Sequence, residues 1–263
     1  MTTPPADIVL DRGGKQDALY EFPYHYIPTL NNGNFSPTRS LRWGYEYISY
    51  VRFVLERVRD IPFDTMLDVG CGDGRFLYEA SRVLSNKQLK GIDVSARAIG
   101  FARAFNPDLE LIVGDINDRG LFNVKFDVIT LVEVLEHIAP GDIADFVGSI
   151  AYHLKDDGLL LLTVPSKNVK LNTKHYQHFD MASLQTVLVP TLRILDRHFI
   201  NRISILTLIM EKLLVNRLFI LNQRHILNAV YSFYERHLLQ ADEANCKRIC
   251  LLCQKTVSPG QSH

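Results

Sequence analysis

The stretch Met66-Leu-Asp-Val-Gly-Cys-Gly-Asp-Gly-Arg75 constrains this chain more than any other part of it. An apolar strand, Thr65–Val69, runs into Gly70, Gly72 and Gly74, and a helix begins at once, from about Arg75 to Leu84. Glycine permits the tight turn and a close approach of backbone to a ligand, and the first helical turn presents N–H donors without intrahelical partners. From there, short apolar strands alternate with helical periods. Strands are expected at Gln88–Ile92, Leu109–Val113, Phe126–Val132 and Gly158–Val164, and helices at Ser95–Phe105 and Ile143–Leu154. A helix at Met181–Leu188 precedes strands near Arg193–Phe199 and Lys247–Cys253, and Leu41–Val58 upstream carries helical periodicity. This alternation predicts an α/β fold, a doubly wound parallel sheet with helices on both faces.

The chain of 263 residues has room for such a sheet and one core. Residues 1–40 read as an N-terminal tail and aromatic lid segment, 41–200 as the core, 201–240 as a helical insertion between the last two strands, and 241–263 as the closing strand and tail. Lys and Arg total 29, as do Asp and Glu, so the molecule as a whole is not built to attract nucleic acid. The start lacks a basic region followed by an apolar stretch, and no run of eighteen uncharged apolar residues occurs, so a cytoplasmic protein without a transmembrane segment is expected. Of the cysteines, Cys71 is in the glycine turn. Cys246, Cys250 and Cys253 fall in or beside an apolar run with one Cys-x-x-Cys spacing, which fits free core thiols in a reducing compartment better than zinc ligands.

The residues around the turn narrow the ligand. A dinucleotide site asks for Gly-x-Gly-x-x-Gly, and position 75 is Arg; Asp68 ahead of the turn would repel a pyrophosphate but hold a cationic amino-acid moiety. Asp93 closes the second strand nineteen residues after Gly74, where a carboxylate can accept both hydroxyls of a ribose. Asp115 and Ile116 end the third strand, a carboxylate to accept from an adenine amino group and an apolar side chain to cover its ring.

On these residues the chain resembles the class I S-adenosylmethionine-dependent methyltransferases, in the small-molecule group whose first motif is Leu-Asp-x-Gly-Cys-Gly-x-Gly. The resemblance covers about 62–200 and the closing strand near 247–255. It implies a seven-stranded Rossmann-like sheet of order 3-2-1-4-5-7-6 with the last strand antiparallel, and S-adenosylmethionine as cofactor. It also implies Gly70, Cys71 and Gly72 along the methionine part, Asp93 at the ribose and Asp115 at the adenine. Asp68, Gly74, Val94, Ile116 and Glu133 complete the expected cofactor set. Methyl transfer to an oxygen or nitrogen of a small-molecule or glycan-type acceptor is the expected reaction. Metal-assisted RNA 2′-O-methylation and a non-catalytic cofactor-binding protein are the alternatives.

The acceptor side is less specified. Glu133, Glu136 and His137 are at i, i+3 and i+4 after the fourth strand, and Lys174-His175-Tyr-Gln-His178 follows the fifth; both loops open at the carboxyl edge of the sheet, where ligands bind. His137, His175 and His178 are therefore the candidate catalytic residues, as general base or in positioning the acceptor. A layout of Glu-x-x-Glu-His with a later His is similar to that of metal-using small-RNA methyltransferases. Here His178 abuts Phe179-Asp180 directly, a departure from their later motif, and no metal is assigned.

Residues 193–237 carry seven Lys/Arg against three Asp/Glu, and Ile203–Leu221 as a helix has a narrow polar stripe (Ser204, Thr207, Glu211) and a broad apolar face. Core or homodimer packing is the preferred expectation for that face, with a lid over the acceptor or contact with a membrane surface as alternatives.

Overall fold

The computed structural model describes residues 29–31, 34–36, 41–171, 173–189, 191–214 and 223–256. The expected tail at 1–19, the aromatic segment 20–28 and the end of the expected 203–221 helix lie outside them. Two short strands, β1 (Thr29–Asn31) and β2 (Asn34–Ser36), pair antiparallel. Helix α1 (Leu41–Arg59) leads into β3 (Thr65–Val69), α2 (Arg75–Val83), β4 (Gln88–Asp93), α3 (Ala96–Phe105), β5 (Glu110–Val113) and β6 (Phe126–Val132). Then follow a 3₁₀ turn (Leu135–His137), α4 (Ile143–His153), β7 (Leu154–Pro165), α5 (Met181–Leu188), β8 (Leu192–Arg202), α6 (Ile205–Leu214), α7 (Arg224–His237) and β9 (Cys246–Lys255).

The seven long strands form one sheet in the order β5-β4-β3-β6-β7-β9-β8, the expected 3-2-1-4-5-7-6. β9 runs antiparallel to both neighbours and the other paired strands run parallel. Side-chain alternation along the central strands feeds two cores. Leu67, Ile129, Leu131, Leu160 and Leu162 pack on the face covered by α4 and α5. Met66, Val128 and Leu161 pack on the other, under α1, α2 and α3. Burial on both faces is why these strands read as apolar runs, and it accounts for the four free, buried cysteines.

Local chemistry sets the helix starts. Ser95 caps α3 by accepting from the Ala98 N–H at 3.2 Å, and Asp180 and Ser183 form a reciprocal capping box on α5. Gly74 caps α2 at φ +77°, and a β-carbon there would come within 2.7 Å of Asn106 Nδ2 and 3.0 Å of Ala102 Cβ, so glycine is also required for α2 to pack against α3.

The insertion leaves β8 at Arg202 and returns into β9 at Cys246, which are register partners, and Arg248 of β9 lies opposite Pro165 at the end of β7. Both insertion helices therefore stand at the carboxyl edge of the sheet. Of the expected core or homodimer packing, the core part is overturned here. The apolar face of α6 is not core: Thr207 and Glu211 point inward, while Ile205 is 77% exposed and Leu213 57%. The polar stripe finds partners inside, Thr207 Oγ1 donating to the Arg202 carbonyl and Glu211 accepting from Lys247, so the apolar side is left outward.

Candidate active site

A cleft of about 620 Å³ opens where the strand order reverses between β3 and β6. Its walls come from the ends of β3, β4, β5 and β6. Val69, Gly70, Asp93, Val94, Asp115 and Ile116 line one part; Glu133, Val134, His137 and Tyr176 line the rest. Gly70, Asp93, Val94, Asp115, Ile116 and Glu133 of the expected cofactor set thus share one continuous space with His137; His175 and His178 do not line it.

Gly70 is at φ +70°, and a β-carbon there would meet Val134 Cγ2 at 2.5 Å, so only glycine lets β3 turn beneath the loop that follows β6. Gly72 donates its N–H to Asp93 Oδ2 at 2.9 Å, and Ser95 donates to Oδ1 at 2.8 Å. A carboxylate offers about four lone-pair sites, so two backbone bonds fix its orientation and leave capacity for a diol. Asp115 is exposed at the rim, with Oδ1 accepting from the Asn117 N–H at 2.9 Å, and Ile116 is 3% exposed and lines the wall. Asp68, Cys71, Gly72 and Gly74 do not line the cleft; they build the turn behind it. Asp68 is buried there and accepts from Thr130 Oγ1 at 2.7 Å. Burial, with a smaller push from the Asp93 carboxylate and against the Thr130 bond, raises it to about 7.

The three candidate histidines come together, in an order the sequence did not reveal. His178 is buried behind His175: its Nδ1 lies 3.0 Å from the Val169 carbonyl and its Nε2 lies 3.0 Å from His175 Nδ1. A carbonyl only accepts, so His178 Nδ1 donates; neutral His178 then accepts at Nε2, and His175 Nδ1 must donate to it. That leaves His175 Nε2 with its lone pair. By the same logic His137 Nδ1 donates to the Lys174 carbonyl at 3.1 Å, so that in the neutral tautomer of this ring Nε2 is the acceptor. The His137 and His175 rings meet edge to face with centroids 4.8 Å apart. Burial first, and then the neighbouring His137 and His178, lower the His175 pKa, which favours the neutral ring. Glu136 completes the group: it is 1% exposed, and one atom each of Glu136, His137 and His175 lie within 4.8 Å of one another. Burial and the Glu133 carboxylate push the Glu136 pKa up.

Glu133 has φ +56°, a left-handed conformation that a side chain other than glycine's strains, at the point where β6 meets the cleft. Its N–H donates to the Thr163 carbonyl at 3.0 Å, and its Oε2 accepts from Arg248 Nε at 2.9 Å; Oε1 is buried without a partner. Arg248 also donates through Nη1 to Asn201 Oδ1 at 3.2 Å and stacks 4.3 Å from the centre of the Tyr50 ring. Asn201 in turn donates to the Tyr234 hydroxyl of α7 at 2.5 Å. Sequence reading missed Arg248. The signal was there: a Lys-Arg pair opening an apolar strand must find anionic partners when buried.

Comparison with known proteins agrees with this fold. The methyltransferase domain family matches residues 39–203. A ubiquinone biosynthesis O-methyltransferase of Bartonella tribocorum is 30% identical over 148 residues, 52% of this chain and 55% of the relative. A cyclopropane-fatty-acyl-phospholipid synthase of Escherichia coli is 29% identical over 126 residues, 46% of this chain and 32% of the synthase. The chain spans about half the length of the first curated relatives it matches. Among solved structures, the N-methyltransferase NodS of Bradyrhizobium japonicum, in complex with S-adenosyl-L-homocysteine, superposes with a TM-score of 0.55 at 16% identity, over 81% of this chain and 88% of its own. The family match takes in the glycine turn, Asp93 and Asp115 and all three histidines, and with it the chain belongs to the class I S-adenosylmethionine-dependent methyltransferases.

Proposed function

We propose that this protein moves the methyl group of S-adenosylmethionine to an oxygen or nitrogen of a small-molecule or glycan-type acceptor. The observation that carries this reading is the single cleft in which the Asp93 carboxylate and the His137 ring line the same space. S-adenosylmethionine fits the residues present. The volume suits a ligand of its size, Asp93 is oriented for a ribose diol, Ile116 offers an apolar wall beside Asp115, and buried Asp68 lies behind the turn where a cationic amino-acid part would lie. Bound there, the cofactor supplies an activated methyl carbon next to a positive sulfur.

The protein then has to align the acceptor, exclude water and take one proton. His137 and His175 fit the last role, because each presents an Nε2 lone pair fixed by the bond its Nδ1 makes. His178 acts through His175 as a positioning residue. Glu133 is held in the cleft wall by Arg248, whose Nε donates to its Oε2. Four free, buried cysteines suit a reducing, cytoplasmic setting.

The test is isothermal calorimetry with S-adenosylmethionine, followed by transfer of a radiolabelled methyl group into organic and aqueous fractions of a cell extract. Micromolar binding with acceptor labelling supports the reading. Binding without any transfer would reduce the protein to a cofactor binder.

A second reading is favoured by the convergence of Glu136, His137 and His175. Imidazoles whose far nitrogen donates to a carbonyl or a second His are arranged as metal ligands commonly are, so a divalent cation here would lower the pKa of an acceptor hydroxyl in place of a general base. Dialysis against EDTA separates the two: lost transfer restored by Mg²⁺, Mn²⁺ or Zn²⁺ selects the cation, and unchanged transfer selects the bare histidines.

A further inference from the structure

Helix α6 is inside out. A surface helix ordinarily buries its apolar stripe and shows water its polar one. Here Thr207, Met210, Glu211 and Leu214, at i, i+3, i+4 and i+7, face the protein, with Thr207 2% exposed. Ile205, Leu206, Leu208, Ile209 and Leu213 face outward, each 48% exposed or more. On α7 the outward side chains include Ile226 at 47% and Phe233 at 39%. Seven of the seventeen large apolar side chains exposed among the described residues are on these two helices, so the patch is concentrated rather than scattered.

The charges around it are one-sided. The two acidic side chains of α6 and α7 are withdrawn into ion pairs, Glu211 with Lys247 at 2.9 Å and Glu235 with Arg52 at 3.6 Å. Lys212, Arg224 and Arg236 are exposed. Among the described residues of the two helices, the outward surface is therefore apolar and cationic, with no exposed carboxylate. Two copies of this face set against each other would bring cations to cations with no acid on either side to pair them. An anionic bilayer answers both features, phosphates meeting the cations and acyl chains taking the aliphatic side chains.

We propose that the outward face of α6 and α7 docks on an anionic phospholipid surface. Its place in the fold gives the docking a use. The insertion shares the carboxyl edge of the sheet with the cleft, and Tyr234, Asn201 and Arg248 connect it by hydrogen bonds to Glu133 in the cleft wall. A docked enzyme would receive an acceptor anchored in the bilayer without that acceptor leaving it. This last consequence rests on the proposed methyl transfer; the docking itself does not.

The experiment is vesicle flotation of the full chain, with phosphatidylcholine alone and with phosphatidylcholine and phosphatidylglycerol in a roughly two-to-one ratio. The wild type should partition at least tenfold more strongly onto the anionic vesicles, and less as salt rises to about 0.5 M. Ile209→Glu/Leu213→Glu should abolish flotation. Lys212→Gln/Arg224→Gln should weaken it by about fivefold per cation removed. Calorimetry with S-adenosylmethionine on the same samples should show unchanged affinity, proving the variants folded and keeping this test separate from that of the cofactor site. Absence of flotation with either vesicle, or flotation untouched by the Glu variants, overturns the proposal. So does a wild-type dimer in sedimentation that the Glu variants dissociate, which would give the face to a second copy.

Discussion

The two halves of the cleft are built by different means. On the β3–β4–β5 side, the backbone does the holding: a glycine turn packed under Val134, and an Asp93 clamped by two N–H groups within two residues of the turn or of itself. On the β6–β9 side, side chains from distant segments hold one another, His178 on His175, and Arg248 between Glu133 and Asn201. A backbone-built half can serve many relatives with different side chains. A side-chain-built half can be re-specified by a few substitutions, and acceptor choice is what differs among methyltransferases that share a cofactor.

If that division is right, the largest effect should come from the side-chain half without disturbing the other. His175→Ala should lower turnover by about 10²–10⁴ while S-adenosylmethionine affinity stays within about twofold, less than 0.5 kcal/mol. An affinity loss as large as the rate loss would merge the two halves.

Next, Arg248→Met should cost about 3 kcal/mol of stability in urea unfolding, because Glu133 is left as a mostly buried, unpaired carboxylate. Glu133→Gln added to it should recover part of that loss. Full additivity of the two would show that the pair does not couple.

A smaller effect belongs to the backbone half. Asp68 is raised to about 7, and a cationic ligand in front of it favours its ionised form. Ionisation increases with pH, so S-adenosylmethionine affinity should strengthen by up to about tenfold between pH 6 and 8. Asp68→Asn should flatten that slope; a slope retained in Asp68→Asn assigns it to another group.

The smallest effect sits at the far end of the sheet. Asp127 accepts from Lys155 Nζ and from the Asp64 and Thr65 N–H groups, and these bonds hold its carboxyl below the usual carboxylate range. A folded pKa below the unfolded one gives stability that is complete above about pH 4 and is lost as pH falls below it. Asp127→Asn should lose about 1 kcal/mol near pH 7 and unfold with less dependence on acid, while both cleft halves keep their function.

The contrast also explains what could be read from sequence. The alternation of strands and helices and the location of Asp93, Asp115 and Ile116 followed from local signals, since a strand, a glycine turn and a helix start are adjacent along the chain; the order of the strands in the sheet came from the resemblance to the methyltransferases. The histidines were visible as a cluster, but their hierarchy depended on which ring met which carbonyl. Arg248 and Glu133 are 115 residues apart, and no local pattern joins them. The direction of α6 was equally hidden: a helical pattern gives two faces, and only Lys247 and the Arg202 carbonyl decide which turns inward.

The most direct test of the two-part cleft is calorimetric titration of S-adenosylmethionine into wild type, Asp93→Ala and His137→Ala/His175→Ala. Losing the clamped carboxylate proposed to hold the ribose should weaken binding at least tenfold, about 1.5–3 kcal/mol, and the histidine variant should bind like wild type. A folded Asp93→Ala of wild-type affinity, or a histidine variant that no longer binds the cofactor, would contradict the division.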